Sequence, residues 1–307
     1  MKHGVAAGIT SAFAVTFTGM WFLSDILLKP RKLTYDKLYE RELSIRKFDV
    51  KSYELRKKQS FQIASDYGYH LACELLEPEQ SEIKDEIKKI AVLCHGFTCA
   101  KCSSLIYAEL FLKLGFTVII YDHRNHGFSG KAFTSMGYYE RLDLKKVIDW
   151  CISNYGDRCK IITHGESMGA ATVLSHLEID DRITCAIADC GYSDLSQLIK
   201  HQVKTYFWFP SLLMAPVDLL THARAGFWYE EVSPIRAVKN TDKPIFFIHG
   251  EKDNYVPTEM AMQMYESKKE AKDIFIVPGA KHAESILVDR KEYERRIEDF
   301  LKKYAII

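Results

Sequence analysis

Strand-like and helix-like segments alternate through most of this 307-residue chain, and that alternation restricts the fold more than any other feature. Helical patterns at 105–114, 138–154, 167–177 and 290–304 are interleaved with short apolar runs. The eight predicted strands are Phe61–Ala64, Tyr69–Leu75, Ile90–Leu93, Thr117–Tyr121, Ile161–Thr163, Cys185–Asp189, Ile245–His249 and Ile274–Val277. Such alternation places strands parallel to one another. We therefore expect an α/β fold with an eight-stranded, mostly parallel sheet and helices on both faces, which begins with a hairpin.

One stretch interrupts this rhythm. Residues 191–236 carry no strand signal and contain two aromatic groups, Tyr206–Phe209 and Phe227–Tyr229. A long segment without strands between two strands of a sheet favours a helical cap over that sheet. We predict that the aromatic side chains of the cap line an apolar substrate pocket, with these candidates: Phe207, Trp208, Phe227 and Trp228.

The N-terminal region predicts attachment to a lipid bilayer. No side chain from Gly4 to Ser24 is ionisable, and a helix of that length matches the hydrocarbon thickness of a membrane. A cleaved signal peptide and a buried core helix are the alternatives, and the single transmembrane helix is favoured over both. We expect an anchor at 1–32, a connecting helical segment at 33–60 and the globular domain at 61–307.

Positive charges predict which side of the membrane the domain occupies. The span is followed by Lys29, Arg31, Lys32 and Lys37, whereas only Lys2 and the chain amine precede it. Because the positive flank tends to stay on the cytoplasmic side, we expect the domain on the cytoplasmic face of the membrane.

Composition excludes other classes of partner and site. Lys and Arg number 42 against 41 Asp and Glu, which gives a formal charge of +1 and argues against a nucleic-acid partner. The chain is long enough to fold without a disulfide framework, although it has 8 cysteines. Cys99 and Cys102 form a CxxC pair, but no second pair supplies the other ligands of a zinc site. We predict no metal site, and the role of these two cysteines stays open.

The candidate nucleophile is Ser167, in Gly165–Glu166–Ser167–Met168–Gly169. This G-x-S-x-G motif follows a predicted strand and precedes a predicted helix, which is the context that exposes the serine on a sharp turn. Glycines at both ends let the chain turn and let neighbouring strands approach closely.

Serine needs a base that takes its proton and an acid that orients the base. Asp253 follows the predicted strand that ends at His249, and His282 follows the strand that ends at Val277. The chain order serine, aspartate, histidine is one of the known orders of such triads. We predict that Ser167, Asp253 and His282 are the catalytic residues.

The developing negative charge on a substrate oxygen needs two hydrogen-bond donors. Cys94–Phe97 follows the third predicted strand, and Met168 follows the nucleophile at the start of a helix. We assign the backbone N–H groups of Phe97 and Met168 to this oxyanion hole.

These motifs resemble the α/β-hydrolase superfamily, in its branch of serine-aminopeptidase-like and bacterial membrane-anchored hydrolases. The resemblance covers about residues 60–305 and rests on these segments: His95–Thr98, Tyr121–Gly130, Gly165–Gly169, Ser233–Pro234, Phe247–Gly250 with Asp253 and Val256–Pro257, and Gly279–His282. It implies an α/β-hydrolase fold and a mainly structural role for Asp122, His123 and His126.

The predicted function is that of a carboxylesterase-like serine hydrolase, with an apolar acyl or aryl ester as the small-molecule substrate and no cofactor. Aminopeptidase or amidase, thioesterase and acyltransferase activities use the same triad and remain alternatives, as does a non-catalytic binding protein with this fold. An aminopeptidase needs an anion for the substrate amine, and Glu230–Glu231 is the candidate.

Overall fold

A computed structural model of the chain describes residues 18–46, 48–79, 87–207 and 214–307. Its centre is one eight-stranded sheet with the strand order β1-β2-β4-β3-β5-β6-β7-β8. The strands are β1 Lys58–Ala64, β2 His70–Leu76, β3 Lys89–Cys94, β4 Thr117–Tyr121, β5 Lys160–Glu166, β6 Ile183–Asp189, β7 Ile245–Gly250 and β8 Lys272–Val277. β2 pairs antiparallel with β1 and with β4, and all other pairs are parallel. The predicted α/β-hydrolase fold with its mostly parallel sheet is therefore confirmed.

Burial on both faces explains the composition of the central strands. Ile90, Ala91, Val92 and Leu93 of β3 are all 0% exposed, because helices cover both sides of the sheet. One core cluster lies on each face of the sheet, and a third lies beneath the cap.

The helices cover the sheet and build the cap. The sheet is flanked by α4 Leu105–Lys113, α5 Glu140–Tyr155, α6 Met168–His176, α9 Pro234–Asn240, α10 Thr258–Ser267, α11 Ser285–Val288 and α12 Arg290–Lys303. The described part of the insertion is helical: it contains α7 Leu195–Gln202, a π-helical turn Val203–Phe207, α8 Met214–Ala225 and a 3₁₀ turn Tyr229–Glu231.

The N-terminal region packs on this body. A helix at 18–28, α1, is followed by α2 Tyr35–Arg46 and α3 Val50–Leu55. Ser24 and Leu28 of α1 are 0% exposed, so the end of the predicted anchor is buried against the hydrolase domain. Within the ranges given above, no helix has the length and apolar character needed to cross a bilayer. The remainder of the predicted span, residues 4–17, lies outside the described residues.

Candidate active site

Ser167 lies on a sharp turn between β5 and α6. Its backbone has φ 57° and ψ −115°, a conformation that is costly for any residue with a side chain and that typically marks a functional site. Glycines make the turn possible: a Cβ on Gly169 would lie 2.0 Å from the carbonyl oxygen of Cys94, and a Cβ on Gly165 would lie 2.2 Å from the backbone of Gly169. The motif therefore packs α6 directly against the ends of β3 and β5.

Parallel strands bring the three predicted catalytic residues together. Asp253 follows β7 and His282 follows β8, so both lie at the same edge of the sheet as Ser167. With its proton on Nδ1, His282 donates to Oδ2 of Asp253 at 2.7 Å, and its Nε2 accepts from Oγ of Ser167 at 3.0 Å. This arrangement can move a proton from serine to imidazole.

The Asp253 carboxylate has other partners in addition to His282. Its Oδ1 accepts the N–H groups of Tyr255 and Val256, each at 2.9 Å, and Oδ2 lies 3.2 Å from Nε2 of His249. Burial raises the pKa of Asp253, but the hydrogen bonds to His249 and His282 outweigh it and lower this pKa to about 2. Asp253 is therefore ionised. No sequence motif assigns this role to His249, although it lies four residues before Asp253.

The predicted oxyanion-hole residues flank Ser167. Met168 is the first residue of α6, where backbone N–H groups have no acceptor within the helix. The loop after β3 lies against the serine, since a Cβ on Gly96 would be 3.5 Å from the Cβ of Ser167. Phe97, the next residue in that loop, lines the same cavity as Ser167.

A buried ion pair supports the turn from below. Glu166 precedes the nucleophile, and Arg46 of α2 donates to both of its carboxylate oxygens, at 2.7 and 2.8 Å. Tyr107 also donates to Glu166, and Glu42 forms a second ion pair with Arg46 at 2.7 Å. Burial alone would raise the pKa of Glu166. The charge and hydrogen bonds of Arg46 together have the larger, opposite effect, so the pKa is lowered and the carboxylate stays ionised. The sequence offered no signal for this contact, because 120 residues separate the two partners.

Asp122, His123 and His126 are buried beside the loop that follows β3. Asp122 accepts the backbone N–H of Lys101 at 2.7 Å and that of Phe128 at 3.0 Å. The N–H of His123 donates to Nε2 of His95 at 3.0 Å, and that of Thr98 donates to Nε2 of His126 at 3.2 Å. These bonds hold the loop that carries Phe97.

An apolar cavity of about 340 Å³ opens above Ser167. Ser167 is among its lining residues, and the walls come from α1, the cap and the loops after β3, β4 and β7. No Asp, Glu, Lys, Arg or His is among the described residues that line it. The lining consists of Leu23, Ile26, Leu27, Phe97, Met136, Ser167, Tyr192, Leu195, Leu198, Ile199, Gln202, Val203, Tyr206, Met214, Val217, Tyr229, Tyr255 and Val256.

The aromatic residues predicted for the pocket lie elsewhere or are not described. Phe227 is buried in the core of the cap, where its ring stacks on Tyr138, and Trp228 stacks on His222. Neither lines the cavity, because packing within the cap uses both rings. Phe207 ends the π-helical turn, and nothing is described of its side chain; Trp208 lies outside the described residues. The aromatic walls are instead Phe97 and four tyrosines, of which Tyr206 and Tyr229 belong to the two aromatic groups of the cap.

The cysteines are all free thiols. Cys99 is half-buried, and Cys102 is buried in the turn before α4. One group in the described part of the chain, Cys190 with Asp253 and His282, has ligand atoms within 4.8 Å of one another. The carboxylate and imidazole of that group bond to each other, and burial raises the pKa of the Cys190 thiol. The thiolate form that binds metals is therefore disfavoured at Cys190.

Comparisons with known proteins found a family profile, curated relatives and solved structures that match this chain. The sequence profile of the prolyl oligopeptidase family matches residues 104–306. The chain is 33% identical to the uncharacterized protein YqkD of Bacillus subtilis, over 97% of this chain and 95% of YqkD. It is 23% identical to the putative esterase YitV of Bacillus subtilis, over 59% of this chain and 74% of YitV. The structure of the Pyrococcus furiosus esterase Pf2001 superimposes with a TM-score of 0.65 at 25% identity, covering 82% of this chain and 95% of Pf2001.

Proposed function

We propose that this chain, which belongs to the prolyl oligopeptidase family, hydrolyses carboxylic esters that carry an apolar acyl or aryl group. It is an esterase-like serine hydrolase of the α/β-hydrolase superfamily. The proposal assigns the chemistry to Ser167, His282 and Asp253, and the substrate to the cavity above them.

In the proposed reaction, Oγ of Ser167 attacks the ester carbonyl carbon while Nε2 of His282 takes the hydroxyl proton. Asp253 stabilises the imidazolium that forms. The N–H groups of Phe97 and Met168 bind the negative oxygen of the tetrahedral intermediate. The C–O bond to the alcohol then breaks, and the alcohol leaves with the proton from Nε2. Water repeats the sequence on the acyl-enzyme and releases the acid.

The observation that carries the ester assignment is the uncharged lining of the cavity. A peptide with a free amino terminus needs a buried anion near the serine, because an unpaired ammonium is costly to bury. Glu230 and Glu231, the candidates for this role, do not line the cavity. Glu231 instead accepts the backbone N–H of Trp228 at 2.6 Å. An apolar acyl or aryl group fits these walls better than an amine does.

A substrate panel tests the proposal. Purified protein is assayed with p-nitrophenyl acetate, butyrate and octanoate, with butyryl thiocholine, and with alanyl and leucyl p-nitroanilides. We expect kcat/KM for the oxygen esters to exceed that for the anilides by at least 100-fold. Ser167→Ala serves as the inactive variant and Ser44→Ala, an exposed serine of α2, as the control. Faster cleavage of the anilides would favour an aminopeptidase, and faster cleavage of the thioester would favour a thioesterase.

We also propose that the uncharged segment that begins at Gly4 attaches the chain to a bilayer, with the domain on the cytoplasmic face. The support is its composition: the 21 residues from Gly4 to Ser24 carry no ionisable side chain, and residues 4–17 of this run precede the helix that packs on the domain. The full chain is expected to remain with membranes after an alkaline carbonate wash, and the double variant Phe13→Arg/Phe17→Arg is expected to be released. Recovery of the unaltered chain in the soluble fraction would contradict this proposal.

A further inference from the structure

One wall of the cavity above Ser167 comes from α1, at the end of the predicted anchor. Leu23, Ile26 and Leu27 all line the cavity. Their spacing of three and four residues puts them on one face of a helix. This helix therefore presents a continuous apolar stripe to the space where a substrate would lie.

The other side of α1 is fixed to the hydrolase body. Ser24 and Leu28 are 0% exposed, and the carbonyl of Leu28 accepts the N–H of Thr134 at 3.0 Å. Arg224 of α8 donates to Oγ of Ser24 at 2.8 Å and pairs with Asp25. Ser24 and Asp25 lie between the residues that line the cavity and Leu28 follows them, so these contacts fix which face of α1 the cavity meets.

The helix to which α1 is tied also lines the cavity. Met214 and Val217 of α8 are in its wall, on the same element as Arg224. Ion pairing and hydrogen bonding thus hold α1 and α8 together as two sides of one apolar channel.

The opening of this channel lies next to α1. Ile26 and Tyr206 line the cavity and are also 41% and 50% exposed, which marks where it reaches the surface. Ser167 is 8% exposed and lies at the inner end. A chain bonded to the serine through its carbonyl would run outward between α1 and the π-helical turn.

We infer that α1 is part of the substrate site, and that Leu23, Ile26 and Leu27 form an acyl-chain wall which sets the length of hydrocarbon the enzyme prefers. The inference rests on the proposed function and names its substrate class more narrowly, as esters of medium-length or longer unbranched acids. Each methylene buried along this wall contributes about fourfold to kcat/KM, until the chain reaches the opening.

Two variants with opposite effects test the inference. Ile26→Trp narrows the channel at its opening, and Leu27→Ala widens it. Ile45→Trp is the matched control, because Ile45 is 54% exposed on α2 and does not line the cavity. kcat/KM is measured for p-nitrophenyl esters of two, four, eight and twelve carbons. We expect Ile26→Trp to lower the octanoate-to-acetate ratio at least tenfold and Leu27→Ala to move the optimum to a longer chain, whereas Ile45→Trp keeps the profile of the unaltered enzyme. An opposite shift in Leu27→Ala is an effect that misfolding cannot produce.

A binding measurement separates this inference from the proposed function. Laurate binding to the full chain is followed by displacement of a fluorescent fatty acid, in a Ser167→Ala background that needs no turnover. We expect Ile26→Trp to weaken laurate binding at least tenfold and Ile45→Trp to leave it unchanged. Ester hydrolysis with the same chain-length profile in all variants would overturn the inference and leave the function standing. If Ile26→Trp weakens laurate binding but the protein hydrolyses no ester, the proposed function is overturned and the acyl-chain wall stands.

Discussion

The Ser167 hydroxyl is a weak nucleophile on its own, and the surrounding side chains supply what it lacks. His282 lies 3.0 Å from its oxygen, and Asp253 fixes the imidazole from the other side. The carboxylate in turn accepts two backbone N–H groups and lies close to His249. At this scale the reactive groups come from three different loops and are positioned by hydrogen bonds.

Asp253→Asn tests the role of the carboxylate. The NH₂ group of an amide at this position can donate a hydrogen bond to Nδ1, which stabilises the tautomer with its proton on Nε2. Nε2 then cannot accept the serine proton. We expect kcat for p-nitrophenyl butyrate to fall about 10⁴-fold with the fold intact. Asp194→Asn is the control, since Asp194 caps α7 by accepting the N–H of Gln197 and asparagine caps equally well. A loss below tenfold in Asp253→Asn would contradict the assignment.

The Arg46–Glu166 pair gives a second prediction about single residues. Arg46→Met leaves Glu166 buried without its cation, which typically costs about 3–5 kcal/mol. Urea unfolding should show this loss, and Arg46→Met/Glu166→Gln should recover part of it. Arg41→Met removes a cation that is 40% exposed, while Glu42 keeps its ion pair with Arg46, so this change should cost less than about 1 kcal/mol. Equal stability of the single and double variants would show that the buried charge is not the cause.

The positions of the secondary-structure elements are the feature that the sequence predicted best. Apolar runs and turn residues located all eight strands to within three residues, because alternation of strand and helix is a local signal. The same pattern placed Asp253 and His282 at strand ends, so these two residues could be assigned to the site from the sequence. The lining of the cavity could not, since it depends on how the cap and α1 pack. Phe227 illustrates this limit: its aromatic character predicted burial but not which side of the cap it would face.

Gly169→Ala tests the contact between α6 and β3. The added methyl group would lie 2.0 Å from a backbone oxygen, so the helix must move away from the strand. We expect a Tm lower by several degrees and at least a tenfold loss of esterase activity, because the shift displaces both Ser167 and the N–H of Met168. Gly19→Ala is the matched control, as nothing lies within 4 Å of its added Cβ. An active, equally stable Gly169→Ala would contradict this packing.

The stability of the whole molecule depends on pH because several ionisable groups are buried. Burial lowers the pKa of His126 to about 4 and that of His164 to about 3, and it also lowers the pKa of His95 and His123. These neutral imidazoles must gain a proton when the chain unfolds in acid. Their contribution to stability is complete above the unfolded pKa of 6.5 and is lost as pH falls towards the folded values.

Asp189 acts in the opposite direction. Burial raises its pKa to about 7, so the folded state holds a proton that the unfolded state releases above pH 3.8. Its contribution therefore grows as pH falls from 7, and it offsets about one histidine. The four imidazoles outweigh this single carboxyl.

We therefore expect the free energy of unfolding to fall by several kcal/mol between pH 7 and pH 5, at about 2 kcal/mol for each buried imidazole. His126→Asn should reduce the difference between the two pH values by about 2 kcal/mol. Urea unfolding at both pH values measures the change, with His70→Asn, an exposed position on β2, as the control. Stability that stays level or rises towards pH 5 would contradict this account.

The most direct test of the central claim is to map the site of reaction with a fluorophosphonate, which phosphonylates an activated serine. Peptide mass spectrometry of the labelled full chain should place a single adduct on Ser167. Ser167→Ala should show no adduct, and Asp253→Asn should react at a rate lower by orders of magnitude. An adduct on a different serine, or labelling that persists in Ser167→Ala, would contradict the claim that this residue is the nucleophile.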